Sequence, residues 1–197
     1  MIDVTKKLLV TRPCHDIMTS YLHDFCKGVI ERIKVDKSMH VTDLERTEAN
    51  RSNFEQSITK ENPSLVFLNG HGDKTKVTGH GNEVILDSEN VSILKDKIVY
   101  ALSCDSLEDL GQISITKGVK AYIGYKAKFM MVIDPSRIGN PGKDKNALPF
   151  KRGCTALIES LISGLTIKQE IDFTKKEYLH SIKSYGTSED DPYGDTP

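Results

Sequence analysis

Leu65-Val66-Phe67-Leu68-Asn69-Gly70-His71-Gly72 is the stretch on which the reading of this chain turns. Four apolar residues in succession, with no polar alternation, suit a strand covered on both faces of a parallel sheet. The run stops at Asn69-Gly70 and delivers a histidine set between two glycines. A second stretch repeats the arrangement: Ile98-Val99-Tyr100-Ala101-Leu102 reads as another buried strand and runs into Ser103-Cys104-Asp105-Ser106. In open α/β sheets functional groups gather just beyond the carboxyl ends of the strands. If these two strands are neighbours, His71 and Cys104 stand at one rim.

The rest of the chain supplies elements for such a sheet. Lys7 to Thr11 reads as a strand stopped by Arg12-Pro13, and Ile17, Tyr21, Phe25, Val29 and Ile33 recur at helical spacing from His15 to Lys34. Met39 to Thr42 is a short strand, and a polar helix from Glu48 to Lys60 ends at Asn62-Pro63. Gly79-His80-Gly81-Asn82 joins Lys76–Thr78 to Glu83–Leu86 as a hairpin. A helix over Leu107–Thr116 is followed by the strand Ala121–Tyr125. Asp134 to Pro149, rich in Gly, Pro, Asn and Lys, reads as a long exposed loop, and helices are expected over Thr155–Leu165 and Ile167–Ile182. This alternation predicts an α/β domain with a mostly parallel sheet over residues 1–185. The polar stretch 186–197 has nothing to bury and is expected to be disordered.

Composition narrows the class. The 197 residues carry 27 basic and 28 acidic side chains, a net charge of −1 that offers no electrostatic footprint for nucleic acid or an anionic membrane. Apolar runs are too short to span a bilayer, and the N-terminus lacks the apolar stretch of a signal peptide. Cys14, Cys26, Cys104 and Cys154 are irregularly spaced with no CxxC pair, so neither a disulfide framework nor a thiolate metal site is expected. The expected setting is reducing and cytoplasmic. His80, nine positions after His71, invites a zinc reading together with Cys104; its place at a hairpin tip argues against one, and no metal or cofactor is expected. Cys14, His15, His23, His40 and His180 are assigned no role.

A histidine beside a cysteine takes the thiol proton or stabilises the thiolate, which is the attacking form. The backbone N–H groups of Gly72 and Cys104 would then hold an oxyanion. Taken together, Leu65–Gly72, Ile98–Ser106 and Gly118-Val119-Lys120-Ala121-Tyr122-Ile123-Gly124-Tyr125 resemble the caspase-like cysteine peptidases, a group that includes caspases, clostripain, gingipains and separase. The likeness is closest to CHAT-domain and short prokaryotic members, and it covers about Leu65 to Tyr125. The resemblance implies a three-layer fold with about six strands between helices, His71 as general base or acid, Cys104 as nucleophile, and no metal in catalysis. It also implies that the residue two before the nucleophile, here Leu102, helps form the pocket for the side chain preceding the cut. An apolar residue is therefore expected there. Asp73 and Asp105 are further candidates for the substrate cleft.

The expected function is a cysteine endopeptidase acting on specific protein or peptide targets, under control of a partner or signal. A catalytically silent interaction module, and a thiol hydrolase or acyltransferase using the same pair, are the alternatives.

Overall fold

The computed structural model describes residues 6–35, 39–163 and 167–184. The expected tail over 186–197 lies outside the described residues. The chain divides into two compact units, Met1–Met130 and Met131–Pro197.

The first unit is built on five strands: β1 (Lys6–Arg12), β2 (Met39–Glu45), β3 (Leu65–Asn69), β6 (Ile98–Leu102) and β7 (Ala121–Ile123), with β4 (Val77–Thr78) and β5 (Val84–Leu86) forming a separate hairpin. The five lie in the order β2-β1-β3-β6-β7 and every pairing among them is parallel. The resemblance implied about six strands; five form the sheet among the described residues. The apolar runs that announced β3 and β6 are central strands: Val66, Phe67, Leu68, Val99, Tyr100 and Ala101 are all essentially inaccessible.

Helices cover the sheet. Alternate residues Leu9, Val66, Leu68, Val99 and Ala101 join one core with Phe54 and Ile58 of α2 (Arg51–Glu61) and Leu110 of α3 (Asp109–Thr116). Each such side chain contributes about 1.5–3 kcal/mol on burial. The intervening residues include Leu8, Val10, Phe67 and Tyr100, the last two stacked with ring centres 4.9 Å apart. Asn69 belongs to this second set, and it accepts a hydrogen bond from Cys26 of α1 (Ile17–Val35) at 3.3 Å. Cys26 is thus a buried structural thiol.

Helix starts differ from the periodicity reading where capping decides. Asn50 caps α2 by accepting from the Asn53 N–H, so that helix begins at Arg51 and not at Glu48.

In the second unit, α4 (Leu148–Ser163) begins seven residues earlier than Thr155, because Pro149 fits the first turn of a helix. Cys154 therefore lies inside α4 and is buried. The segment 134–149 carries short 3₁₀ turns at Pro135–Arg137 and Pro141–Lys143, organised by a fully buried Asp144 that accepts from the N–H groups of Asp134, Asn146 and Ala147. It is a structured connection and not simply an exposed loop. The last helix, α5, spans Ile167–Ser184. No helix among the described residues is long and apolar enough to cross a membrane.

Candidate active site

Strand order locates the site before any side chain does. The chain steps outward from β1 to β2 and then crosses back to β3 on the other side of β1. A crevice opens beyond the carboxyl ends of strands where the order reverses in this way, here between β1 and β3. Three of the connections at that rim matter here: Pro13–Asp16 after β1, Gly70–Lys76 after β3 and Ser103–Glu108 after β6.

The β3 and β6 connections carry the expected pair. Asn69 lies opposite Leu102 in the ladder, so His71 and Cys104 each follow by two residues on adjacent parallel strands, which run roughly 4.8 Å apart. The two connections touch. A Cβ placed on Gly72 would collide with the Ser103 hydroxyl and come within 2.8 Å of the Lys76 carbonyl. Glycine is required at 72 because the chain's own neighbouring turn passes there.

Gly72 is also placed as a donor. It pairs with Val77 in an isolated antiparallel bridge, bracketed by Thr78 N–H to the His71 carbonyl (2.8 Å) and Asp73 N–H to the Lys76 carbonyl (3.1 Å). In such a pair the central residue's own N–H points away from its partner strand. Among the described residues neither the Gly72 nor the Cys104 N–H is used in a hydrogen bond.

His71 is positioned by a residue the sequence reading did not single out. Its Nε2–H donates to Asp16 Oδ2 at 2.6 Å. The carboxylate divides its oxygens: Oδ1 accepts from the Thr19 N–H and hydroxyl, both at 2.8 Å, fastening Asp16 to the start of α1, while Oδ2 faces the imidazole. Partial burial pushes this carboxyl up, but the bonds from Thr19 and His71 outweigh it and hold it at about 2. Asp16 is therefore an anion throughout the neutral range. With the ring proton fixed on Nε2, the lone pair of His71 sits on Nδ1. The signal available in sequence was Asp16-Ile17-Met18-Thr19, a capping pattern that puts a carboxylate at the carboxyl end of β1.

Cys104 is half-buried and free. Its sulfur accepts from the Phe129 N–H at 3.2 Å, and the Phe129 carbonyl lies 3.9 Å away. This follows from a strand-like run after β7: Leu107 N–H donates to the Tyr125 carbonyl and Asp105 N–H to the Ala127 carbonyl, so Phe129 falls opposite the thiol. The described hydrogen bonds thus join His71 to Asp16 and Cys104 to Phe129, not the pair to each other.

The remaining candidates are Leu102, Asp73 and Asp105. Leu102 is fully buried beside the equally buried Asn69, so its side chain belongs to the core and walls no open pocket. Asp73 builds its own turn, accepting from the Thr75 N–H and hydroxyl and the Lys76 N–H. Desolvation opposes its charge, but those bonds and Lys76 keep its carboxyl below the usual range. Asp105 follows the cysteine in a left-handed conformation, φ 53°; aspartate tolerates this better than most residues, and it sharpens the turn carrying Cys104.

His71 has a second histidine next to it, and that one has a third. The His15 ring centre lies 6.0 Å from that of His71 and 5.2 Å from that of His80. His80 is thus brought to the rim through the hairpin, next to His15 and not in a set with Cys104.

No protein-family model matches the chain and no curated protein matches it, so the caspase-like resemblance rests on the residues quoted above.

Proposed function

We propose that the chain is a caspase-like cysteine endopeptidase acting in the cytoplasm, with Cys104 as nucleophile, His71 as general base and acid, and Asp16 as the residue that positions His71. The observation that carries this reading is the shared rim: His71 and Cys104 sit at equal offsets beyond adjacent parallel strands, with Gly72 pressed against Ser103 between them.

The chemistry follows from that arrangement. His71 Nδ1 takes the thiol proton, and the thiolate attacks a peptide carbonyl to form a C–S bond. The oxyanion is held by the N–H groups of Gly72 and Cys104. Collapse breaks the C–N bond as His71 returns the proton to the leaving amine. Water, deprotonated by the same imidazole, then attacks the thioester and restores the thiol. Asp16 stays ionised and stabilises the imidazolium formed in each half.

The Phe129 backbone occupies the sulfur before substrate does, so turnover requires residues 125–129 to withdraw from Cys104. Control by a protein partner or signal would act on that segment. A protein or peptide is the substrate class proposed, with a cut after an apolar side chain. With Leu102 buried, that preference has to come from other walls of the cleft.

The test is a whole-proteome digest read by mass spectrometry with the protein and its Cys104→Ala form. New termini sharing one preceding side chain, absent with the variant, are expected. Identical termini in both would refute the reading, and ester hydrolysis without peptide cleavage would reassign the pair to a thiol hydrolase.

A further inference from the structure

His15, Asp16 and His71 bring three ligand atoms into one cluster beside the proposed base, where His15 Nε2 also lies 3.3 Å from Asn82 Oδ1. Asp16 Oδ2 lies 2.6 Å from His71 Nε2 and 3.5 Å from His15 Nε2, and the donor atoms of all three residues fall within 4.8 Å of one another. Zinc bonds of about 2.0–2.2 Å to nitrogen and oxygen set tetrahedral ligands about 3.4 Å apart, so small movements would bring these atoms onto one ion. Two imidazoles and one carboxylate are a donor set suited to zinc and its borderline neighbours and not to magnesium or calcium. The exposure fits too: the His71 and Asp16 side chains are each 38% accessible, which leaves solvent access and room for a water as fourth ligand, while His15 is 13% accessible and anchored.

We propose that His15, Asp16 and His71 bind one zinc-class divalent cation, and that its binding silences the Cys104–His71 pair. The binding claim stands on the cluster alone; the silencing claim rests on the function proposed above. The coupling is a matter of one proton. In the metal-free site the His71 proton is on Nε2, facing Asp16, and Nδ1 is the base. A cation on Nε2 takes that nitrogen's lone pair, the ring's single proton shifts to Nδ1, and the atom that must accept the thiol proton becomes a donor. His80 takes no ligand place; it packs edge-on against His15, and its Nδ1 accepts from the Cys14 N–H at 3.5 Å. The buried Nδ1 of His15 has no acceptor among the described residues, so the site lacks one outer bond that normally raises ligand basicity. Its affinity should accordingly be micromolar and not nanomolar.

Titration calorimetry with zinc chloride decides this, using the full chain and four variants: His15→Ala, His15→Gln, Asp16→Asn and Cys104→Ala. Circular dichroism confirms folding, and the His15→Gln variant keeps the test open if His15→Ala does not fold. One ion per chain is expected, with affinity reduced about tenfold or more by the changes at 15 and 16 and retained in Cys104→Ala. Peptide turnover by the wild type should fall with a zinc dependence that follows the calorimetric curve. No binding at micromolar zinc, unchanged affinity in the folded His15 variants, or loss of binding in Cys104→Ala would each overturn the site; the last would mean that the thiol holds the metal. The heat signal does not depend on turnover, so a chain that binds zinc this way but cleaves no peptide would count against the proposed function and not against the site.

Discussion

Arg12 and His71 both stand at the carboxyl rim of the sheet, at or just beyond the ends of the adjacent strands β1 and β3, and each faces a carboxylate. Around Arg12 the circle is closed. Its Nε and Nη2 fork onto Asp43 at 2.8 and 2.7 Å, Glu45 takes a second bond, and Lys34 reaches Asp43 at 2.6 Å. Arg12 and Asp43 are only 3% and 5% accessible. Around His71 the circle is open: one ring nitrogen is held, the other has no partner among the described residues, and both His71 and Asp16 keep over a third of their surface in water. A saturated, buried ion pair specifies structure. An anchored but unsaturated imidazole is what the proposed base requires.

The largest effects are expected at the open cluster. Cys104→Ala and His71→Ala should each lower peptide turnover about ten-thousandfold or more while leaving the melting temperature nearly unchanged, since neither residue is fully buried. Turnover assays beside thermal melts check both halves. The closed cluster should behave in the opposite way. Arg12→Ala leaves Asp43 buried without its main partner and should destabilise the fold by about 3–5 kcal/mol, seen as a shifted urea midpoint. A mild effect there would remove the contrast.

Asp16 falls between the two, holding both a helix start and the imidazole. Asp16→Asn keeps a cap for α1 but loses the charge that fixes the ring, so kcat should fall about 10–100-fold with KM little changed. A rise in KM alone would make Asp16 a binding residue. The smallest effect concerns acid. An unfolded aspartate ionises near 3.9, whereas folded Asp16 ionises at about 2. Between these values the folded chain binds fewer protons, so stability from the pair is whole above about pH 4 and disappears as pH falls through 2. The side chain is well exposed, so the effect is about 1 kcal/mol or less. Melting curves of the wild type and Asp16→Asn should converge over that window.

What could be read in the sequence was what short stretches determine. Val66–Leu68 and Val99–Leu102 are apolar without alternation because both their faces are covered, and that also placed His71 and Cys104. Asp16 and Phe129 were not legible as site residues. They reach His71 and Cys104 only because β1 neighbours β3 and because the run after β7 folds back along the Ser103 turn, pairings between residues 55 and 25 positions apart. Leu102 shows the converse: its position in the motif was evident, but its burial is fixed by the ladder partner Asn69.

Activation of Cys104 by His71 can be read without any substrate, from the alkylation rate of each cysteine near neutral pH. Brief treatment with iodoacetamide followed by peptide mapping should modify Cys104 well before the buried Cys26 and Cys154, and the advantage should collapse in His71→Ala. Cys14, partly exposed on the β1 connection, serves as the internal reference. Equal labelling of Cys104 and Cys14 in the wild type, or a Cys104 rate untouched by His71→Ala, would rule out activation of Cys104 by His71.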